Sequence, residues 1–205
     1  MRFRKLAVLA VAAIAVTGLS ACNTKVGAAA YVGGHRISDS NVEQYLTPKA
    51  VPFQLSSQSG SSQTIVPRSY VLQTLILGRL FNRALADTKG GQPTESQLSA
   101  ADKSLAQGAT QAQQQQQYTK YGFKSSFAAL DIRNTTLETI LAQRTGATSD
   151  AKPIFAEISK LKIPVNVNSR YGSWSPSTFS LTSDPSAGLP SFVTIHPVAT
   201  STPTG

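Results

Sequence analysis

Cysteine is almost missing from this sequence of 205 residues, in which Cys22 stands alone. An intrachain disulfide is therefore excluded, and the fold has to be stabilised by its own packed core. Histidine is nearly as scarce, since His35 and His196 are the only two. Because no spacing of His, Cys and carboxylates is typical of a zinc site, the sequence predicts no metal and no other cofactor.

Acidic residues are also few, with ten Asp and Glu against 19 Lys and Arg, which gives a formal net charge of +9. Such a balance can indicate an anionic partner such as a membrane surface or nucleic acid. The basic residues are scattered singly, however, and no cluster of them lies beside aromatic residues as nucleic-acid surfaces require. We therefore interpret them as a mildly basic, solvated surface and predict no nucleic-acid partner.

Candidates for catalysis are few as well. A hydrolytic triad needs a histidine that lies between a carboxylate and a nucleophile. His196 falls in a segment rich in Ser, Thr and Pro, and His35 lies at a turn with Asp39 four residues later. An exposed histidine near a surface carboxylate is the simpler interpretation of that pair. Because no glycine-rich loop precedes a Lys-Ser or Lys-Thr pair either, we predict that the protein is not an enzyme.

No apolar run reaches the length of about 18 residues that favours a membrane-spanning helix. The apolar run at residues 6–16 follows three basic residues and leads into a stretch of small residues. This order is that of a secretory signal, which is removed from the mature protein. The mature protein is therefore predicted to lie outside the cytoplasm without crossing the bilayer.

The end of this signal, Leu19, Ser20, Ala21 and Cys22, resembles the bacterial lipobox, in which Leu, a small residue and Ala or Gly precede an invariant Cys. The resemblance implies cleavage before Cys22, a diacylglycerol on its sulfur, and anchoring on the extracytoplasmic face of the cell membrane. More than one acyl chain is expected, because a single chain gives only marginal, reversible membrane binding. The alternative is an ordinary secretory signal with a cysteine at the cut by chance.

Composition divides the chain into four segments. Residues 1–21 are the predicted signal peptide, and residues 22–28 are small and polar, as expected for a tether. Residues 29–175 carry the periodic apolar patterns of a folded domain. Residues 176–205 are rich in Ser, Thr and Pro, so a disordered tail is predicted there. Without the signal peptide, which holds three of the basic residues, the formal charge is +6.

The folded domain is predicted to be mainly helical. Residues 47–64 hold two prolines and many Ser and Gln, which predicts a flexible loop. Short strands are predicted at residues 29–32 and 165–168, and since a lone strand is not stable, we expect this short pair of strands from the two chain ends to close the helices into one unit. Capping residues and apolar spacing predict five helices: a short one before Pro48, then residues 67–87, 95–118, 125–143 and 153–161.

The strongest helical pattern lies at residues 67–87, where apolar residues recur every three or four positions. The width of this stripe predicts a helix that is central to the core. The neighbouring helices have thinner apolar faces, so part of the stripe is expected to stay uncovered as a groove. The residues that we expect to bind a client protein there are Leu72, Leu75, Ile76, Leu80 and Phe81.

Three segments of the domain, at residues 31–38, 70–76 and 165–174, are similar to a known family. They read YVGGHRIS, YVLQTLI and VNVNSRYGSW. They resemble a Val-Asn-Gly turn, a Leu-x-x-Leu-Ile core helix and a Val-Asn-Pro-Arg-Tyr-Gly segment of the N-terminal chaperone domain of the SurA and PrsA foldases, particularly the lipoprotein forms of actinobacteria. Gly33 replaces the usual Asn, and Ser169 replaces the usual Pro.

The resemblance implies a helical domain, like the SurA N-terminal domain, that binds unfolded or partly folded exported proteins. The prolyl isomerase domain that often accompanies it has no room in this chain. The alternative is a structural or adaptor lipoprotein that docks on one envelope protein, because such a protein also needs an exposed apolar groove. The expected partners are therefore membrane lipid, through acylated Cys22, and another exported or envelope protein.

Overall fold

In the computed structural model of the protein, the described residues are 27–56, 62–105, 111–147 and 151–182. Several predictions concern residues outside these ranges: the signal peptide, the lipid on Cys22, most of the tether, and the tail beyond residue 182. They stay predictions. The predicted helix at 95–118 is described on both sides of residues 106–110, as two elements.

The described residues form six helices and seven short strands, and more than half of these residues are helical. The helices are α1 (Asp39–Glu43), α2 (Pro67–Asp87), α3 (Glu95–Leu105), α4 (Gln111–Lys120), α5 (Ser125–Thr145) and α6 (Lys152–Lys160). The strands are β1 (Ala28–Val32), β2 (His35–Ser38), β3 (Phe53–Ser56), β4 (Ser62–Ile65), β5 (Val165–Val167), β6 (Ser173–Ser175) and β7 (Ser180–Thr182). A 3-10 turn, Ser169–Tyr171, lies between β5 and β6.

The prediction of a mainly helical fold is wrong, because the helices pack with three small antiparallel sheets and the fold is mixed α/β. The expected pairing of the terminal strands is present, with Val32 opposite Val165. However, β1 is a central strand, since β2 pairs with its other edge. Gly33 and Gly34 connect β1 and β2 at φ angles of 57° and 82°, as a tight hairpin turn requires. Strand β2 shows little pattern in the sequence because only Ile37 in it is buried.

A second hairpin, formed by β3 and β4, lies within residues 47–64, where a flexible loop is predicted. Its anchor is Phe53, which is buried and stacks on Tyr121 with ring centroids 4.1 Å apart. Across the hairpin, the side-chain amide of Gln54 donates a hydrogen bond of 2.7 Å to the hydroxyl of Thr64. Ser and Gln are not strong strand formers, so the hairpin depends on a tertiary contact that the local sequence does not show.

The folded region is longer than predicted at both ends. Strands β6 and β7 form a third hairpin, which extends the fold beyond residue 175 to Thr182. Phe179 and Leu181 in this hairpin are buried, and the ring of Phe179 stacks on Phe155 at 4.8 Å. Ala28, predicted to belong to the tether, is a buried residue of β1. Burying a side chain such as Phe or Leu stabilises the folded state by about 1.5–3 kcal/mol. This hairpin can therefore fold although most of its residues are polar.

Helix α2 lies at the centre of the core and makes its largest contact with α5. The two helices approach closely at Gly78, where a Cβ atom would lie 2.5 Å from Oδ1 of Asn134. Asn134 is buried, and its side-chain amide donates a hydrogen bond of 2.6 Å to the carbonyl of Thr74. A glycine on one helix and a polar side chain on the other therefore fix the contact between α2 and α5.

One carboxylate ties the segment after β5 to the start of the domain. Asp39, the first residue of α1, accepts a hydrogen bond of 3.0 Å from the hydroxyl of Tyr171 and forms an ion pair with Arg170. Burial would raise the pKa of Asp39, but the hydrogen bonds from Arg170 and Tyr171, with the charges of Arg170 and Arg36, lower this pKa below its ordinary value. Burial and the contact with Asp39 raise the pKa of Tyr171 to about 12. Polar contacts therefore reinforce the strand pairing that closes the fold.

Candidate functional site

The residues predicted to bind a client protein lie in the core instead. Leu72 and Ile76 have no exposed surface, and Leu80 and Phe81 are only 1% and 3% exposed. Leu75 is half-buried and packs against the same apolar cluster. The stripe is covered because α1, α5, α6 and β1 all contact α2. These five side chains therefore do not line an open groove.

Exposed apolar surface is scarce elsewhere in the described ranges. Among the residues whose side-chain exposure the structure describes, Val51 is the one large hydrophobic residue that is exposed, with 57% of its surface accessible. A patch that binds another protein through apolar contacts usually covers several hundred Å², far more than one valine provides. The described residues therefore present no broad apolar surface for many unrelated unfolded chains.

An open cleft of about 770 Å³ lies on the outward-facing side of α2. We call it the α2 cleft. Its walls are the outer face of α2 from residue 79 to residue 87, the turn between β1 and β2, and residues 161–164, which precede β5. Ligand-binding sites in proteins commonly have volumes of about 300–1,000 Å³. The α2 cleft is therefore the candidate functional site.

The two loop walls of the α2 cleft are joined through their backbones. The amide of Gly33 donates a hydrogen bond of 2.9 Å to the carbonyl of Pro164. A Cβ atom at Gly33 would lie 3.3 Å from Cγ2 of Ile163, so the two segments approach closely. Lys162 has a φ of 48°, a left-handed conformation that is uncommon for residues other than glycine. The rim that carries Lys162 is therefore fixed to the three-stranded sheet.

Arg79 connects the helical wall to the same sheet. Its guanidinium donates from Nη1 to the carbonyl of His35 at 2.8 Å and from Nη2 to the carbonyl of Arg36 at 3.0 Å. Burial lowers the pKa of Arg79, yet an arginine stays protonated in proteins. Arg79 therefore clamps α2 to β2 and also brings a partly desolvated positive charge into the wall of the cleft.

The lining of the α2 cleft is positively charged. It contains three cationic side chains, Arg79, Arg83 and Lys162, against one carboxylate, Asp87, a formal charge of +2. Asp87 forms an ion pair with Arg83 at 3.5 Å, and the two side chains are 41% and 65% exposed. Such an exposed ion pair contributes only about 0–1 kcal/mol to the stability of the fold. Arg83 is therefore free to exchange this contact for one with a ligand.

Apolar side chains occupy the rest of the lining. Val32 and Ile163 come from the sheet side, Ala86 comes from α2, and Leu161 comes from the segment after α6. Amide groups of Asn82 and Gln92 also line the cleft. Apolar walls with a few convergent polar groups are typical of binding sites. This arrangement can bind an anionic group that is attached to an apolar body.

His35 and Asp39 have different surroundings in the structure. His35 lines the α2 cleft, whereas the carboxylate of Asp39 is engaged by Tyr171 and Arg170. His196 lies outside the described residues. Within the described ranges, no three side chains of His, Cys, Asp or Glu are grouped so that they could hold a metal ion.

The sequence pattern shows only one wall of the α2 cleft. Arg79, Asn82, Arg83, Ala86 and Asp87 recur at the spacing of one helical face, and a search for the polar side of α2 would have found them. No local pattern shows that residues 161–164 and the Gly33 turn lie across from that face. The cleft is therefore visible only in the tertiary structure.

None of the helices in the described part of the chain is both long and apolar enough to cross a membrane. The chain matches no family model, no curated protein and no solved structure. These comparisons therefore do not test the similarity to the SurA and PrsA domain. Function has to be inferred from the α2 cleft and from the sequence motifs.

Proposed function

We propose that the protein is a membrane-anchored extracytoplasmic lipoprotein of the adaptor type, which docks one partner protein of the envelope in the α2 cleft. The observation that supports this proposal is the division of α2 into two faces. Its apolar stripe is buried, whereas its outward face lines an open, cationic cleft. A cleft of defined charge selects particular partners, whereas promiscuous binding uses flexible, apolar surfaces.

A chaperone that binds unfolded or partly folded exported proteins is the second proposal. The observation that favours it is that the segments that resemble the SurA and PrsA domain pack together. Strands β1 and β5 pair, and the hydroxyl of Ser69, next to the second segment, donates a hydrogen bond of 2.8 Å to the carbonyl of Tyr171. This proposal is the weaker one, because four of the five side chains expected to bind clients are core residues and the fifth, Leu75, packs against them half-buried.

The short tether limits where the partner lies. Five residues separate Cys22 from Ala28, the first residue of β1, and an extended chain spans about 3.3–3.6 Å per residue, or roughly 20 Å in total. Val32, which lines the α2 cleft, lies at the other end of β1, about 13 Å farther along the strand. A lipid on Cys22 therefore keeps the cleft within about 35 Å of the membrane surface. The partner has to present its binding segment close to the membrane.

Site-directed photo-crosslinking in cells tests the proposal. A photoreactive amino acid replaces Ala86, which is exposed in the α2 cleft, or Lys103, which is exposed on α3 outside it. We expect a single stoichiometric partner to be crosslinked at position 86 and not at position 103. The charge reversal Arg83→Glu with Lys162→Glu should remove that product, because it inverts the charge of the lining.

The other outcomes decide between the two proposals. Many unrelated exported proteins crosslinked at position 86, together with reduced light scattering when a denatured envelope protein is diluted into the purified protein, would favour the chaperone. Equal crosslinking at positions 86 and 103, or no product at position 86, would contradict a docking role for the α2 cleft.

A further inference from the structure

The length of the α2 cleft is set by its helical wall. The lining positions on α2 run from Arg79 to Asp87, which is eight steps of about 1.5 Å, or roughly 12 Å. An extended peptide advances about 3.3 Å per residue. The wall therefore matches about four residues of extended chain, which is the size of a short linear segment of a protein.

The cationic side chains of the cleft lie on two opposite walls. Arg79 and Arg83 lie on α2, and Lys162 lies on the opposite rim, where its left-handed backbone and the contact of Gly33 with Pro164 hold it. Arginine can bind a carboxylate with two parallel hydrogen bonds, whereas lysine acts as a compact point charge. A ligand carboxylate placed between the two sides meets cations from both.

The guanidinium of Arg79 is the least solvated of these cations, since the Arg79 side chain is partly buried whereas those of Arg83 and Lys162 are exposed. Its Nη1 and Nη2 atoms donate to backbone carbonyls of His35 and Arg36, which are neutral groups and leave the positive charge uncancelled. A nearby anion lowers the free energy of a partly desolvated cation. The apolar walls formed by Val32, Leu161 and Ile163 supply the surface for the rest of the ligand.

We infer that the α2 cleft takes an extended, acidic segment of the partner protein, about four residues long, in which Asp or Glu residues are flanked by apolar ones. The inference rests on the proposed docking function and specifies the chemistry of the segment. Arg83 and Lys162 bind the carboxylates directly. Arg79 positions the helical wall against the sheet and contributes its charge from within that wall.

Selection of a random heptapeptide display library on the purified protein tests the inference without a known partner. We expect the selected peptides to be enriched in Asp and Glu between apolar residues. The Arg83→Glu, Lys162→Glu variant should select Lys- and Arg-rich peptides instead. The control variant Lys103→Glu, Lys124→Glu makes the same change of net charge at exposed positions outside the cleft, and it should select the same acidic peptides as the unmodified protein.

Affinity for one selected acidic peptide gives a second readout. By fluorescence anisotropy, the Arg83→Glu, Lys162→Glu variant should bind it at least about tenfold more weakly, because two attractive charges become repulsive. The variant Arg83→Gln, Lys162→Gln should give an intermediate loss, and binding should weaken as salt is raised to 0.5 M because salt screens exposed charges, with a Debye length of about 8 Å already at 0.15 M. Both variants alter exposed side chains, so their melting temperatures should stay within a few degrees of the original.

The failure of this inference differs from the failure of the proposed function. Selected peptides that are not enriched in Asp and Glu would overturn the inference that the cleft binds an acidic segment. Equal binding of the acidic peptide by the cleft variant and the control variant would overturn it too. If a single partner were still crosslinked at position 86, the docking function would stand with a different ligand chemistry. The absence of both selected peptides and a crosslinked partner would reject both.

Discussion

Replacing Gly78 with Ala tests whether the close approach of α2 and α5 limits the packing of the core. Helix propensity alone predicts stabilisation, because Ala is more favourable than Gly by about 1 kcal/mol in a helix interior. The structure opposes this gain, since the new Cβ would lie 2.5 Å from Oδ1 and 3.2 Å from both Cγ and Nδ2 of Asn134. Asn134 is buried and donates a hydrogen bond to the carbonyl of Thr74, so it cannot move without breaking that bond.

The magnitude follows from three contributions. Leaving the buried amide of Asn134 without its partner costs about 1–3 kcal/mol, and the strain of an added methyl group in a packed core costs about 1–3 kcal/mol. The propensity gain of about 1 kcal/mol offsets part of this cost. We expect Gly78→Ala to lower the free energy of unfolding by about 1–5 kcal/mol. Each kcal/mol should lower the melting temperature by about 2–4 °C in a domain of this size.

Urea and thermal unfolding followed by circular dichroism measure these changes. Ala86→Gly, on the exposed face of the same helix, gives the propensity term alone and should cost about 0.5–1 kcal/mol. The double variant Gly78→Ala, Asn134→Ala removes the clash and should be more stable than Gly78→Ala by about 1 kcal/mol or more. If Gly78→Ala raised the free energy of unfolding by as much as Ala86→Gly lowered it, helix propensity alone would explain both changes. That result would refute the steric clash with Asn134.

Three further predictions concern a turn, a partly buried carboxylate and the anchor. Gly122→Ala should destabilise the protein by more than about 2 kcal/mol in urea unfolding, because its φ is 83° and a Cβ atom would lie 2.4 Å from a backbone atom of the neighbouring loop. Gly91→Ala, at a φ of 61° with open space around it, should cost only about 1–2 kcal/mol, and equal losses for the two variants would disprove the steric argument. Burial raises the pKa of Asp131 above its ordinary value of 3.8, although Tyr118 donates a hydrogen bond of 2.5 Å to this carboxylate. Stability from this group is therefore present below pH 3.8 and is lost as pH rises through the raised pKa. Asp131→Asn, which keeps an acceptor for Tyr118, should be as stable as the original protein at low pH and more stable at neutral pH. Parallel pH profiles of unfolding for the two proteins would rule this out. Cys22→Ser should move the protein from the membrane fraction to a soluble or uncleaved form, because the only thiol that can take the lipid is lost; unchanged fractionation with the same mature amino terminus would contradict the lipoprotein proposal.

The sequence alone predicts the long-range pairing of the two terminal strands and the bounds of the central helix. Helix α2 runs from Pro67 to Asp87 as expected, because a proline at the first turn, an unbroken apolar period and the glycines at 90 and 91 all act locally. Strands β1 and β5 pair as expected, because each carries a short apolar pattern that needs a partner.

The sequence does not predict the fold class, because the additional strands lack a local pattern. Strands β3 and β4 consist largely of Ser, Gln and Thr and are held by the stacking of Phe53 on Tyr121, about 70 residues away in the chain. Strand β7 is held by the burial of Leu181, whose backbone amide donates a hydrogen bond of 2.8 Å to the side-chain oxygen of Gln73, a residue of α2. Contacts of this kind form only when distant segments meet, so periodicity cannot show them.

The sequence also predicts only part of the candidate site. From the sequence, the apolar stripe of α2 is the natural binding surface, and its residues are indeed the ones with the strongest pattern. Only the tertiary structure shows that α5, α6 and β1 cover this stripe and that the polar face with Arg83 stays open opposite Lys162. A sequence period fixes which residues share a helix face, but whether that face is buried depends on how many neighbouring elements the rest of the chain brings against it.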